Sequence, residues 1–134
     1  MNEIKNVNKN KLTINDRELH MDITRILTAL CFTPNCGGYH FVREAIKLVV
    51  NSEDNLRWIS KNIYPTVAAA SGTTSAAVES GIRNSIRRAW MRTDDCMKTE
   101  LFGTYAVSKG WVPSNSEFIF MLADRLRCNV LYCS

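Results

Sequence analysis

Residues 66–90 read TVAAASGTTSAAVESGIRNSIRRAW, and this stretch decides the fold. Two helices that meet at a sharp angle need a small residue where they approach closely, and Ala68 supplies it. Four positions later the chain must turn, and Gly72 adopts positive φ at no steric cost. Six positions beyond, the second helix needs an apolar anchor to hold its angle, and Val78 stands there. Thr74 caps that second helix, which the pattern predicts over 75–92. Along it, Val78, Ile82, Ser85, Ile86, Ala89 and Trp90 recur at helical spacing as an inward stripe. Ala76, Glu79, Ser80, Arg83, Asn84 and Arg87 fall largely on the other side. The pattern is a helix-turn-helix over about 64–92, with a second helix ~27 Å long, enough to cross a DNA major groove.

Working outward, helical periodicity continues on both sides of the motif. From Asp16, Leu19, Ile23, Ile26, Leu27 and Leu30 fall at three- and four-residue spacings. That helix stops at Thr33-Pro34-Asn35-Cys36-Gly37-Gly38, a cluster of breakers. A second helix is expected from Tyr39 to about Val50. Asn51 or Ser52 can cap a third over about 53–62, with Leu56, Ile59 and Ile63 inward. Pro65 suits the first turn of a fourth over 66–71, where its missing N–H is not needed.

Downstream, Thr93-Asp94-Asp95 ends the basic helix and starts a short one towards Leu101. Residues 103–115 read mostly as loop, with a weak strand signal at 104–107. Ser114 or Asn115 caps a last helix through about Arg127, with Phe118, Ile119, Met121, Leu122 and Leu126 available for packing. The expected fold is all-α, a compact bundle of about six helices in one domain over 16–134. Residues 1–15, polar and rich in Asn and Lys, read as a flexible lead.

Bulk properties narrow the function. Apolar residues make up 46% and charged residues 22% of 134, the balance of an ordinary globular domain. No apolar run is long enough to span a membrane, and 1–11 has no apolar centre of a signal peptide, so the cytoplasm is the expected location. Five cysteines, an odd number with no C-x-x-C pair, indicate neither a disulfide framework nor a zinc ribbon. Cys31 and Cys36 could ligate a metal with His40, but they read more simply as small, partly buried thiols. His20 reads as a helix-face residue and His40 as a helix-start residue, with no nucleophile or metal motif around either. Gly37-Gly38 lacks the pattern of a phosphate loop. Trp58, Trp90 and Trp111 read as packing residues. Neither catalysis nor a cofactor is expected.

The charge is unevenly placed. Residues 1–54 carry seven basic and seven acidic side chains, and 93–134 carry four basic and five acidic. Residues 55–92 carry Arg57, Lys61, Arg83, Arg87, Arg88 and Arg92 against Glu79 alone, so this segment holds the whole net excess of the +4 chain. Such a concentration fits a polyanionic partner or, equally, a solvated basic face. On a groove-docked helix, early residues reach base edges, which makes Ala76, Glu79, Ser80 and Arg83 the base-reading candidates. Arg83 can fork onto guanine, and Glu79 can accept from a cytosine amino group. Arg87, Arg88 and Arg92, with Thr74 and Ser75 at the helix start, are the phosphate candidates.

Beyond this motif, GYHFVREAI (38–46), IYPTVA (63–68), TTSAAVESGIRNSIRRAW (73–90), LFGTYAVS (101–108) and PSNSEFIFMLADRLR (113–127) extend over most of the chain. In order and spacing they resemble the C-terminal effector domain of the stage-zero sporulation response regulators, transcription factors of endospore-forming Firmicutes. The resemblance implies a six-helix domain that reads a short promoter element in the major groove of double-stranded DNA. It implies binding as tandem copies through the last helix, and contact with the RNA polymerase sigma subunit through about 91–104.

Two features depart from that family. Its recognition helix carries Glu-Arg-Ala-Ile-Arg where this one reads Glu79-Ser80-Gly81-Ile82-Arg83. Ser80 removes one guanine contact, worth ~1–3 kcal/mol of discrimination. Gly81 costs roughly 1 kcal/mol against alanine and is expected to loosen the helix. The family's regulator also carries an N-terminal phospho-receiver, which 15 polar residues cannot form; if this chain is the whole protein, phosphorylation in cis is not expected to gate it. Two functions follow: a sequence-specific transcription regulator, or an interaction module with weakened DNA specificity that pairs with a full-length relative or with polymerase.

Overall fold

The computed structural model describes residues 16–52 and 56–133. The expected lead over 1–15 lies outside the described residues, as do Glu53 and the side-chain packing of Leu56, Trp58 and Ile59. The described elements are α1 (Asp16–Ala29), α2 (Tyr39–Asn51), α3 (Leu56–Ser71), α4 (Ser75–Arg92), α5 (Asp95–Phe102), a 3-10 turn (Thr104–Val107) and α6 (Asn115–Cys133). Among the described residues there is no strand, and the fold is an all-α bundle. None of these helices is long and apolar enough to cross a membrane.

The middle of the bundle is α2, which touches α1, α3, α4 and α6 and packs most extensively on α6. Val42, Ala45, Ile46 and Val49 bury its inner face against Leu19, Ile23 and Leu27 of α1 and Phe118, Ile119 and Leu122 of α6 in one apolar cluster. Arg127 of α6 reaches across to the end of α2, donating to the carbonyls of Val49 (2.8 Å), Val50 and Ser52. These carbonyls belong to the last turn and to the residue after it, where a helix leaves acceptors unsatisfied and favours a cation.

α1 closes with two backward hydrogen bonds, from Phe32 N–H to the Leu27 carbonyl (2.9 Å) and from Cys31 N–H to that of Thr28 (3.0 Å). This closure requires a left-handed residue, and Cys31 takes it at φ 67°. The Cys31 thiol donates to the Arg92 carbonyl at 3.3 Å, tying this corner to the end of α4. Among the described residues no cluster of three or more His, Cys, Asp or Glu side chains could hold a metal.

Three expectations need correction. The separate helices expected over 53–62 and 66–71 form one helix from Leu56, with Pro65 inside it. Proline forfeits the bond to the Lys61 carbonyl, a loss of ~3 kcal/mol in a helix interior. Buried Ile63 before it and buried Val67 and Ala68 after it hold the two halves in register. The 104–107 segment is a 3-10 turn rather than a strand, opened by Gly103 at φ 96° with Ala106 turned into the core. Finally, α6 runs to Cys133, six residues past its expected end, with no Gly or Pro after Arg127 to stop it.

Candidate nucleic-acid interface

The turn between α3 and α4 is built as its residues require. Gly72 sits at φ 68°, and Thr73 N–H donates back to the Ala68 carbonyl at 3.0 Å, closing α3 through a left-handed residue. Ala68 is buried where the helices approach. Thr74 then takes an extended backbone, and its Oγ1 accepts from Ala77 N–H at 3.1 Å to cap α4. Val78, Ile82, Ser85, Ile86, Ala89 and Trp90 are all buried, the same six residues that helical spacing places inward.

The far end of α4 is held as firmly. Thr93 Oγ1 donates to the carbonyls of Ala89 (2.8 Å) and Leu30 (3.0 Å), and Trp90 Nε1 donates to that of Trp111 (3.0 Å). Trp90 also stands edge-on to Phe102 and Trp111, with centroids 5.2 and 5.5 Å away. These two tryptophans are packing residues, as the sequence suggests. A helix pinned at both ends and along one face presents its other face as a rigid surface.

On that face Ala76, Asn84, Arg87, Arg88 and Arg92 are exposed, while Glu79, Ser80 and Arg83 are partly buried. At about 100° per residue, Ser80, Asn84 and Arg87 run along the middle, Glu79 and Arg83 along one flank, and Arg88 and Arg92 along the other. Ala76, Glu79, Ser80, Arg83 and Arg87 therefore share one surface, and Arg88 and Arg92 do not belong to it. Arg83 Nη1 donates to the Glu79 carboxylate one turn back. Ser80 Oγ donates to the Ala76 carbonyl at 3.0 Å and so lies close to its own helix. Ser75 is partly buried and Thr74 exposed at the leading edge. Thr74 Oγ1 is occupied as an acceptor, which leaves its hydroxyl proton free for an anion. Among the described residues no ion pair engages Arg87, Arg88 or Arg92.

Gly81 lies within α4, which runs unbroken from Ser75 to Arg92. A β-carbon on Gly81 would stand 3.0 Å from the Phe41 ring, and one on Gly38 only 2.2 Å from the Gly81 carbonyl oxygen and 2.0 Å from Ser85 Oγ. The start of α2 thus rests directly on the α4 backbone. Ser85 Oγ is turned back onto the Gly81 carbonyl at 2.7 Å beneath this contact.

One neighbour of the exposed α4 face carries no signal in the local sequence. The first turn of α6 stands beside the Glu79 flank, across a cleft of about 420 Å³ lined in part by Glu79, Arg83, Arg87, Tyr64 and Asn115. Ser114 Oγ accepts from Glu117 N–H (3.2 Å), and the Glu117 carboxylate accepts from Ser114 N–H (2.9 Å), a reciprocal cap. That cap frees Asn115, the next residue, to point elsewhere. Its Nδ2 donates to the Tyr64 hydroxyl at 3.0 Å and to the Glu79 carbonyl at 3.1 Å. Ser114-x-x-Glu117 is legible in sequence as a capping box, but no local pattern announces where Asn115 reaches.

The family model described as sporulation initiation factor Spo0A C terminal matches residues 23–126, most of the chain.

Proposed function

Because the chain belongs to the sporulation initiation factor Spo0A C-terminal family, a family of DNA-binding effector domains, we propose that it is a sequence-specific transcription regulator that lays α4 in the major groove. The observation that carries this reading is the division of α4. One side is fixed by six buried residues, and the other offers Ala76, Glu79, Ser80 and Arg83 beside exposed Arg87. Arg83 reads guanine, Glu79 accepts from cytosine, and Ala76 and Ser80 fit against neighbouring base edges. Thr74, Ser75, Arg87, Arg88 and Arg92 meet phosphates and set the register.

Two partners besides double-stranded DNA belong to this reading. The sigma subunit of RNA polymerase contacts 91–104, where Met91 leaves 85% of its surface in solvent. A second copy binds in tandem through α6, whose Ser116, Glu117, Asp124 and Arg125 are exposed. Selection from random DNA duplexes tests the function directly. A recovered consensus that fades in Arg83→Ala is expected. Binding to polymerase with no recovered consensus would instead establish the interaction module.

A further inference from the structure

The Asn115 amide carries two N–H bonds and places both on other helices. One acceptor is the Tyr64 hydroxyl of α3, and the other is the main-chain carbonyl of Glu79 itself. Three elements of the helix-turn-helix and its flank therefore meet at one side chain: α3, α4 and the first turn of α6. The Glu79 carbonyl also serves its own helix, and a carbonyl oxygen has a second lone pair for this donor. Apolar packing resists separation of α4 from the bundle, but it resists rolling and sliding less, because it is non-directional. A directional bond to the backbone of the reading turn supplies what packing lacks.

We propose that Asn115 is a positioning residue for base reading, which sets the roll of α4 so that Glu79 and Arg83 meet base edges in register. It touches no base itself. It also gives α6 a direct mechanical connection to the reading turn, so a partner bound to α6 can alter base preference without touching α4. This inference rests on the DNA-reading function proposed above.

Asn115→Asp is the decisive variant. It keeps the shape and replaces the donating amide with a carboxylate that cannot donate to the Glu79 carbonyl. An acid in the first turn of a helix is favourable, so α6 and the fold should persist. Tyr64→Phe removes only the hydroxyl and serves as the second variant. Affinities for the selected site and for a scrambled duplex are measured for each protein, with thermal unfolding alongside. The expected result for Asn115→Asp is a roughly fivefold to tenfold loss of the specific-to-nonspecific ratio, the scale of one or two hydrogen bonds, at a nearly unchanged midpoint. Part of that loss should appear in Tyr64→Phe, and the double variant should be no worse than Asn115→Asp. An unchanged ratio in Asn115→Asp overturns the proposal, as does a loss that simply follows the fall in stability across both variants. If the wild-type protein itself shows no preference for any site, the DNA-reading function fails first and this inference falls with it.

Discussion

Gly38 and Gly81 face each other where the start of α2 meets the middle of α4, and their side-chain tolerances differ sharply. A β-carbon on Gly38 would enter the Gly81 carbonyl group, which is backbone and cannot swing aside. Gly38→Ala should therefore cost about 2–3 kcal/mol or more, at the upper end for overpacking. Gly81→Ala would press on the Phe41 ring, a side chain that can shift by tenths of an ångström, and would gain ~1 kcal/mol of helix propensity. Its net effect should stay within about 1 kcal/mol of zero. Urea unfolding of the two variants checks the contrast; equal losses would disprove the backbone contact. Arg83 poses a different competition, since it already pairs with Glu79. Both partners are about two-fifths exposed (41% and 39%), so the pair contributes under ~1 kcal/mol and yields readily to a guanine fork worth ~1–3 kcal/mol. Arg83→Ala should then lose that ~1–3 kcal/mol on the preferred site and relax one base pair, measured by competition with single-substituted duplexes. Ser80→Arg should tighten binding to the family's promoter element by restoring a second fork, in the same assay.

Among the helices, α6 acts as a tie more than as an isolated strut. Its Arg127 caps the end of α2, while its first turn reaches α3 and α4. Arg127→Met keeps much of the aliphatic stem but leaves three carbonyls without their cation, and should cost about 1–2 kcal/mol. The urea midpoint should fall at constant slope, while base preference holds; a changed preference would place Arg127 among the positioning groups. These long-range ties also explain what the sequence could and could not disclose. The inward stripe of α4 was legible in full, because burial on one face of a helix prints a 3.6-residue period. Pro65 misled, because a local rule places proline in a first turn, whereas packing of Ile63, Val67 and Ala68 carries the helix through it. For Gly81 the sequence discloses only a propensity cost, because Phe41 and Gly38, which crowd it, lie far away in sequence. Asn115 was legible only as a cap candidate, since its acceptors stand 36 and 51 residues away.

For the molecule as a whole, the net charge of +4 matters less than its confinement to 55–92, where α4 carries four of the six basic residues. A helix lying in a major groove has a phosphate backbone on either side. Arg87 lies near the Glu79 flank and lines the cleft beside α6, whereas Arg88 and Arg92 project from the opposite flank. If α4 docks along the groove, these arginines meet phosphates on both sides, with no base contact to lose. Each true phosphate contact releases condensed counterions, so Arg→Gln at one of them should lower the slope of log K against log salt by about one unit. Binding to every sequence should weaken alike, leaving the specific-to-nonspecific ratio nearly intact. Pairing Arg87→Gln with Arg88→Gln should lower the slope by about two units, because the two side chains diverge by about 100° around α4 and share no partner. Affinities at four or five salt concentrations, for a selected and a scrambled duplex, give both quantities at once. A slope that moves for Arg87 alone would turn α4 so that only its α6 side faces the backbone. Slopes unmoved by all three substitutions would leave the basic segment a solvated face and favour the interaction module.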